Sequence, residues 1–151
     1  MQYEDLLMEA DLEGLTVKDK PLLSADGRIY GKNIAIRKGL TNAERCCTLA
    51  EELGHYHTTY GDITKCSTDS ERKQEFKARI WGYDKLIGLR GIVSCHTAGC
   101  RNMTEMADHL NISEPFLSEA LTYYKQKYGV HAVLDNYVIY FEPTLVVFKV
   151  I

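Results

Sequence analysis

A helix that carries three ionisable side chains into its own apolar face sets the tightest limit on how this chain folds. Thr41-Asn42-Ala43-Glu44 fits a capping box, in which a hydroxyl and a carboxylate satisfy free amides at a helix start. Ala43, Cys46, Cys47, Leu49, Ala50 and Leu53 then recur at helical spacing and form an apolar face. Glu51, Glu52 and His55 fall in the last turns, before Thr58, Thr59, Tyr60, Gly61 and Asp62 mark the end. At about 100° per residue, Glu51 and His55 project from one side, one turn apart, and Glu52 sits beside them. Buried, unpaired carboxylates are costly, so a fold that buries this helix has to bring a cation to them. Taken alone, the same five residues also suit an ordinary charged helical face.

With one change, Glu51-Glu52-Leu53-Gly54-His55 has the spacing of the His-Glu-x-x-His helix of zinc peptidases. Glu52 stands where the general base stands, Gly54 where close packing is needed, and His55 at a ligand position. Glu51 replaces the first His, and a carboxylate is a legitimate zinc ligand. A third ligand from the next helix would leave one position open for water. That helix follows Ser70, a potential cap, with Glu71, Gln74, Glu75, Ala78, Trp81, Gly82, Lys85 and Leu86 at helical spacing. Glu75 is the better candidate, because it adjoins the small and aromatic side of Ala78, Trp81 and Gly82; Glu71 competes with it. Upstream, Asp26-Gly27 is a turn signal. Arg28-Ile29-Tyr30 and Asn33-Ile34-Ala35-Ile36 are short β-type runs that could hold an extended peptide by strand addition.

Asn33 to Ile36, Leu49 to Tyr56 and Gln74 to Trp81 together resemble the ImmA/IrrE family of metallopeptidases, especially its short phage and mobile-element forms. The similarity is clear over roughly residues 25 to 90 and looser beyond. It implies an α+β, zincin-like minimal metallopeptidase domain and cleavage of a helix-turn-helix repressor. By position it implies Glu51, His55 and Glu75 as metal ligands and Glu52 as the general base. Two carboxylates and one imidazole favour Zn²⁺ but make Mn²⁺ more competitive than two imidazoles would.

Composition agrees with a soluble protein: 45% hydrophobic and 26% charged residues. Residues 1–151 read as one domain, with the metal-site core at about 25–90 and a helical and strand region at about 100–151. The acidic start, Met1-Gln2-Tyr3-Glu4-Asp5, is not a signal peptide, and five Cys with an adjacent Cys46-Cys47 suit a reducing cytoplasm. No membrane association is expected. A net charge of −3 gives no general attraction to nucleic acid.

Cys95-His96 and Cys100 match no zinc spacing and read as free thiols in a loop. Helical patterns cover Tyr3 to Leu12, Thr104 to Leu110 and Ser113 to Tyr128, making about five helices. Ala107, Asn111 and Leu117 have helix-turn-helix offsets, yet the second of those helices opens Ser113-Glu114-Pro115-Phe116 and would push acidic groups at phosphates. Val130 to Tyr140 and Thr144 to Ile151 read as a strand pair. The domain is therefore mostly helical, with a small sheet beside the metal helix and the strand pair at its end. Tyr56, Tyr60, His57 and His131 are candidates to stabilise an oxyanion; His57 points about 200° away from His55 and is not expected to be a ligand. A silent fold that inactivates a repressor by docking is the main alternative function, and a DNA-binding regulator the weaker one.

Overall fold

The computed structural model describes residues 1–59 and 68–150. Among them are six helices and six strands in two three-stranded sheets, an α+β fold dominated by helix. Helix α1 (Tyr3–Leu12) comes first and buries Tyr3, Leu6 and Ala10, with Leu7 half-buried beside them. Strands β1 (Thr16–Lys20), β2 (Gly27–Tyr30) and β3 (Asn33–Arg37) follow. Their order is β1-β3-β2, with β1 parallel and β2 antiparallel to the central β3. Ile34 and Ile36 of β3 are essentially inaccessible and seat the sheet on the core.

Two details differ from the sequence reading. The chain reverses at Gly31, which takes the left-handed φ of 60° that residues with a side chain rarely adopt, while Gly27 opens β2 instead of turning. Strand β1 has an inward Val17 between polar neighbours and leaves too short an alternation to be recognised.

Helix α2 (Asn42–Thr59) starts at the expected capping box. The Thr41 amide donates to Glu44 Oε1 at 3.0 Å, and the Glu44 amide to Thr41 Oγ1 at 3.1 Å. Helix α3 (Thr68–Leu86) begins two residues ahead of Ser70 and packs along α2. Gly54 sets that contact. A Cβ built on it would collide with the Ala78 carbonyl oxygen, so only glycine lets the two backbones approach.

Helix α4 (Gly88–Thr97) corrects the loop expected at Cys95-His96. It buries Gly91, Ile92 and Cys95, and the Cys95 and Cys100 thiols donate weakly to the Met106 and Glu105 carbonyls. Helices α5 (Met103–Leu110) and α6 (Glu114–Tyr128) meet at Asn111, whose left-handed φ of 56° ends α5. Strands β4 (His131–Leu134), β5 (Tyr137–Tyr140) and β6 (Val146–Lys149) form an antiparallel meander. The run expected as one strand from Val130 to Tyr140 is thus two, divided at Asp135, which has φ 52°. One hydrophobic core runs from Tyr3 to Phe141 and includes residues of every helix. No described helix is long and apolar enough to cross a membrane.

Candidate active site

The expected site residues line one cleft of about 700 Å³. Helix α2 supplies Glu51, Glu52 and His55, and α3 supplies Glu75 and Arg79. His55 Nε2 lies 3.2 Å from Glu75 Oε1, so the one-turn rise of α2 and the close crossing at Gly54 bring together groups far apart in sequence. Glu71 does not line this cleft; it lines a neighbouring depression of about 400 Å³ to which Glu75 and Arg79 also contribute.

Glu52 is the most buried of the carboxylates, 8% exposed. Burial, reinforced by the negative charges of Glu51 and Glu75, pushes its pKa up to about 7. Glu51 is also raised, chiefly by burial, with the Arg79 guanidinium opposing the shift. Arg79 Nε stands 3.7 Å from Glu51 Oε1. The sequence reading missed this cation, although Glu75 and Arg79 have the i, i+4 spacing that places both on one helical face.

Two walls enclose the carboxylates. On one side is edge strand β2, where a Cβ on Gly27 would lie 2.5 Å from Thr48 Cγ2 and 3.1 Å from Glu52 Oε1. Glycine therefore lets the strand lie directly against Glu52. On the other side is the leading end of α6, with Ser113, Pro115, Phe116 and Glu119. Ser113 caps that helix by accepting from the Phe116 amide at 3.3 Å, and Tyr83 Oη donates to Glu119 Oε2 at 3.2 Å. The end of α6 that a helix-turn-helix would present to DNA is thus committed to the cleft. Its acidic Ser-Glu-Pro opening was the available clue.

Cys47 also reaches the cleft, with Sγ 3.9 Å from Ser113 Oγ. Burial pushes its thiol up to about 12, which leaves no thiolate for nucleophilic chemistry near neutral pH. His57 faces away, with Nε2 3.0 Å from Glu13 Oε2 and its ring stacked on Trp81. Tyr56 packs against the core, and His131 lies at the start of β4 beside Tyr140. None of these three lines the cleft, and Tyr60 lies outside the described residues.

Among the described residues, no group of three or more His, Cys, Asp or Glu side chains converges tightly enough to hold a metal ion in this conformation. The donor chemistry nonetheless suits a divalent cation: one imidazole and several carboxylates, partly buried, with a single Arg to offset them.

The Peptidase M78 family, described as the IrrE N-terminal-like domain, matches residues 8–130. The chain belongs to this family. Its M78 domain begins within α1 and extends through α6. Among solved structures, a Mycobacterium tuberculosis transcriptional regulator is similar, with a TM-score of 0.62 at 14% identity. The match covers 80% of this chain and 40% of that one, and at this identity it speaks for the fold alone. No curated protein matches the chain.

Proposed function

We propose that this protein is a cytoplasmic, metal-dependent endopeptidase of a phage or mobile element that cuts a helix-turn-helix repressor and so relieves repression. One observation carries the reading: Glu51, Glu52 and His55 from one helix and Glu75 from the next share a cleft bounded by an unpaired strand edge. Family membership supports the peptidase class. The single core from Tyr3 to Phe141 supports treating residues 1–151 as one domain.

In this reading Glu51, His55 and Glu75 would hold the cation, Zn²⁺ or Mn²⁺. When bound, the ion supplies a Lewis acid that polarises the peptide carbonyl and makes water a better nucleophile. The remaining work falls to the chain itself. Strand β2 can take an extended substrate by backbone pairing along its free edge and present it beside Glu52. Glu52 accepts the proton of the attacking water and returns it to the leaving amine. Burial of Glu52 raises its proton affinity above that of an ordinary carboxylate, which suits a group that must take up a proton and hold it for the leaving amine. Arg79, paired with Glu51, would have to release it when the cation binds.

A second reading, a non-catalytic protein that inactivates the repressor by docking, is favoured by one feature. The Arg79–Glu51 pair already brings positive charge to the cleft without a metal. Metal analysis of protein purified without chelator, followed by incubation with repressors from neighbouring genes, separates the two. About one bound ion per chain and a cut repressor support the peptidase. Refusal of both Zn²⁺ and Mn²⁺ excludes it.

A further inference from the structure

The outer face of the first sheet carries a charge pattern that the peptidase reading does not use. Between Thr16 and Lys38 the chain has six basic residues and two acidic ones, a net +4 in a protein whose total is −3. Strand register sorts these charges. Ile34 and Ile36 point into the core, so Asn33, Ala35 and Arg37 point outward. Lys18 and Arg28 stand opposite Ala35 from the two flanking strands. Lys20 pairs with Arg37 in the row on one side, and Thr16 and Tyr30 pair with Asn33 in the row on the other.

Both acidic groups are already engaged. Asp19 lies on the opposite face of β1 and meets Arg45 at 3.2 Å, and Asp26 holds Arg37 at 2.8 Å. Among the described residues, Lys18, Lys20 and Arg28 have no ion-pair partner. They line a depression of about 320 Å³ floored by Ala35 and free of carboxylates. Tyr30 stands at its rim, 85% exposed.

We propose that this face binds an extended single strand of nucleic acid, with phosphates on Lys18, Lys20 and Arg28 and a base stacked on Tyr30. Residues two apart on a strand recur every ~6.8 Å, so Lys18 and Lys20 offer a repeat that a stretched sugar–phosphate chain can follow. Cations beside an exposed aromatic ring are the combination that single-strand binders use. An acidic peptide would satisfy the cations but leave the Tyr30 ring unused. The face has its own lining, distinct from that of the cleft, although the Arg28 charge also reaches Glu52, and the proposal does not depend on the peptidase reading.

Fluorescence anisotropy of labelled oligothymidylate and oligouridylate with the full chain, over a range of salt, tests this. Three phosphate contacts at about −0.7 each predict a slope of roughly −2 for log affinity against log salt. Lys18→Glu combined with Arg28→Glu should abolish binding. Tyr30→Ala should weaken it by roughly five- to a hundredfold without changing the slope, and Tyr30→Phe should restore it. Tighter binding of one oligonucleotide assigns the face to DNA or to RNA. Absence of binding at low salt, indifference to Tyr30→Ala, or tighter binding of polyglutamate overturns the proposal.

Discussion

Arg79 Nε lies 3.7 Å from Glu51 Oε1, on the helix that also presents Glu75 to His55. One face of α3 thus offers the site a carboxylate and a guanidinium one turn apart. If Glu51 is a metal ligand, Arg79 competes with the ion for it. Arg79→Gln should then tighten Zn²⁺ binding, by up to roughly fivefold for the loss of a partly exposed pair. Isothermal titration on the two proteins measures the difference. Equal affinities would remove Glu51 from the ligand set.

Glu52→Gln should leave metal content and fold intact while lowering cleavage by on the order of a hundredfold or more, because an amide of the same shape cannot accept the proton. Rates on a purified repressor, with circular dichroism as the control for folding, decide it. Full relief of repression by the Gln protein in cells would favour docking instead.

The same substitution has a pH signature in chelator-treated protein. Glu52 has a folded pKa of about 7 against an ordinary 4.5, so the folded state prefers it protonated. That preference contributes in full below pH about 4.5 and is lost as pH rises through about 7, at a cost of about 3 kcal/mol. Glu52→Gln carries no charge to desolvate. Urea titrations should show the variant more stable than the parent at pH 8, with the gap closing toward pH 4.5. A gap that widens on acidification would contradict the assignment.

Two glycines should respond differently to alanine. At Gly54 the new methyl meets the Ala78 backbone, so α2 and α3 must separate, at about 1–3 kcal/mol or more. At Gly27 it meets Thr48 and Glu52 side chains from an edge strand that can shift. Gly54→Ala should lower the melting temperature strongly, and Gly27→Ala should lower cleavage with little change in melting. The reverse ranking would show that β2 does not position the base.

The parts visible in the sequence were those with local causes. Helix α1 has the predicted bounds, and the Thr41–Glu44 box closes as its residue types require. Strand β1 was missed because one inward Val17 between polar residues gives no period to read. Helix α4 was missed because the glycines at 88 and 91 weaken helical propensity, which burial of Ile92 and Cys95 overrides. In the cleft, the one-turn spacing that puts Glu51 and His55 on one side of α2 was legible. Ser113, Pro115, Phe116 and Glu119 were not, because only tertiary packing brings α6 to that wall.

The Gly54–Ala78 crossing bears on how such a protein could be switched on. His55 and Glu75 are borne by two helices whose backbones already touch, so their separation cannot be tuned by sliding one helix without breaking the core. If the peptidase proposal holds, the ligands gather by side-chain rotation on fixed backbones as the Arg79–Glu51 pair opens, and a signal that awakens the protein acts on that pair or at the mouth of the groove. Under the proposed function, timing would lie partly with the target, which becomes cuttable when some other event frees a stretch of its chain to lie along β2.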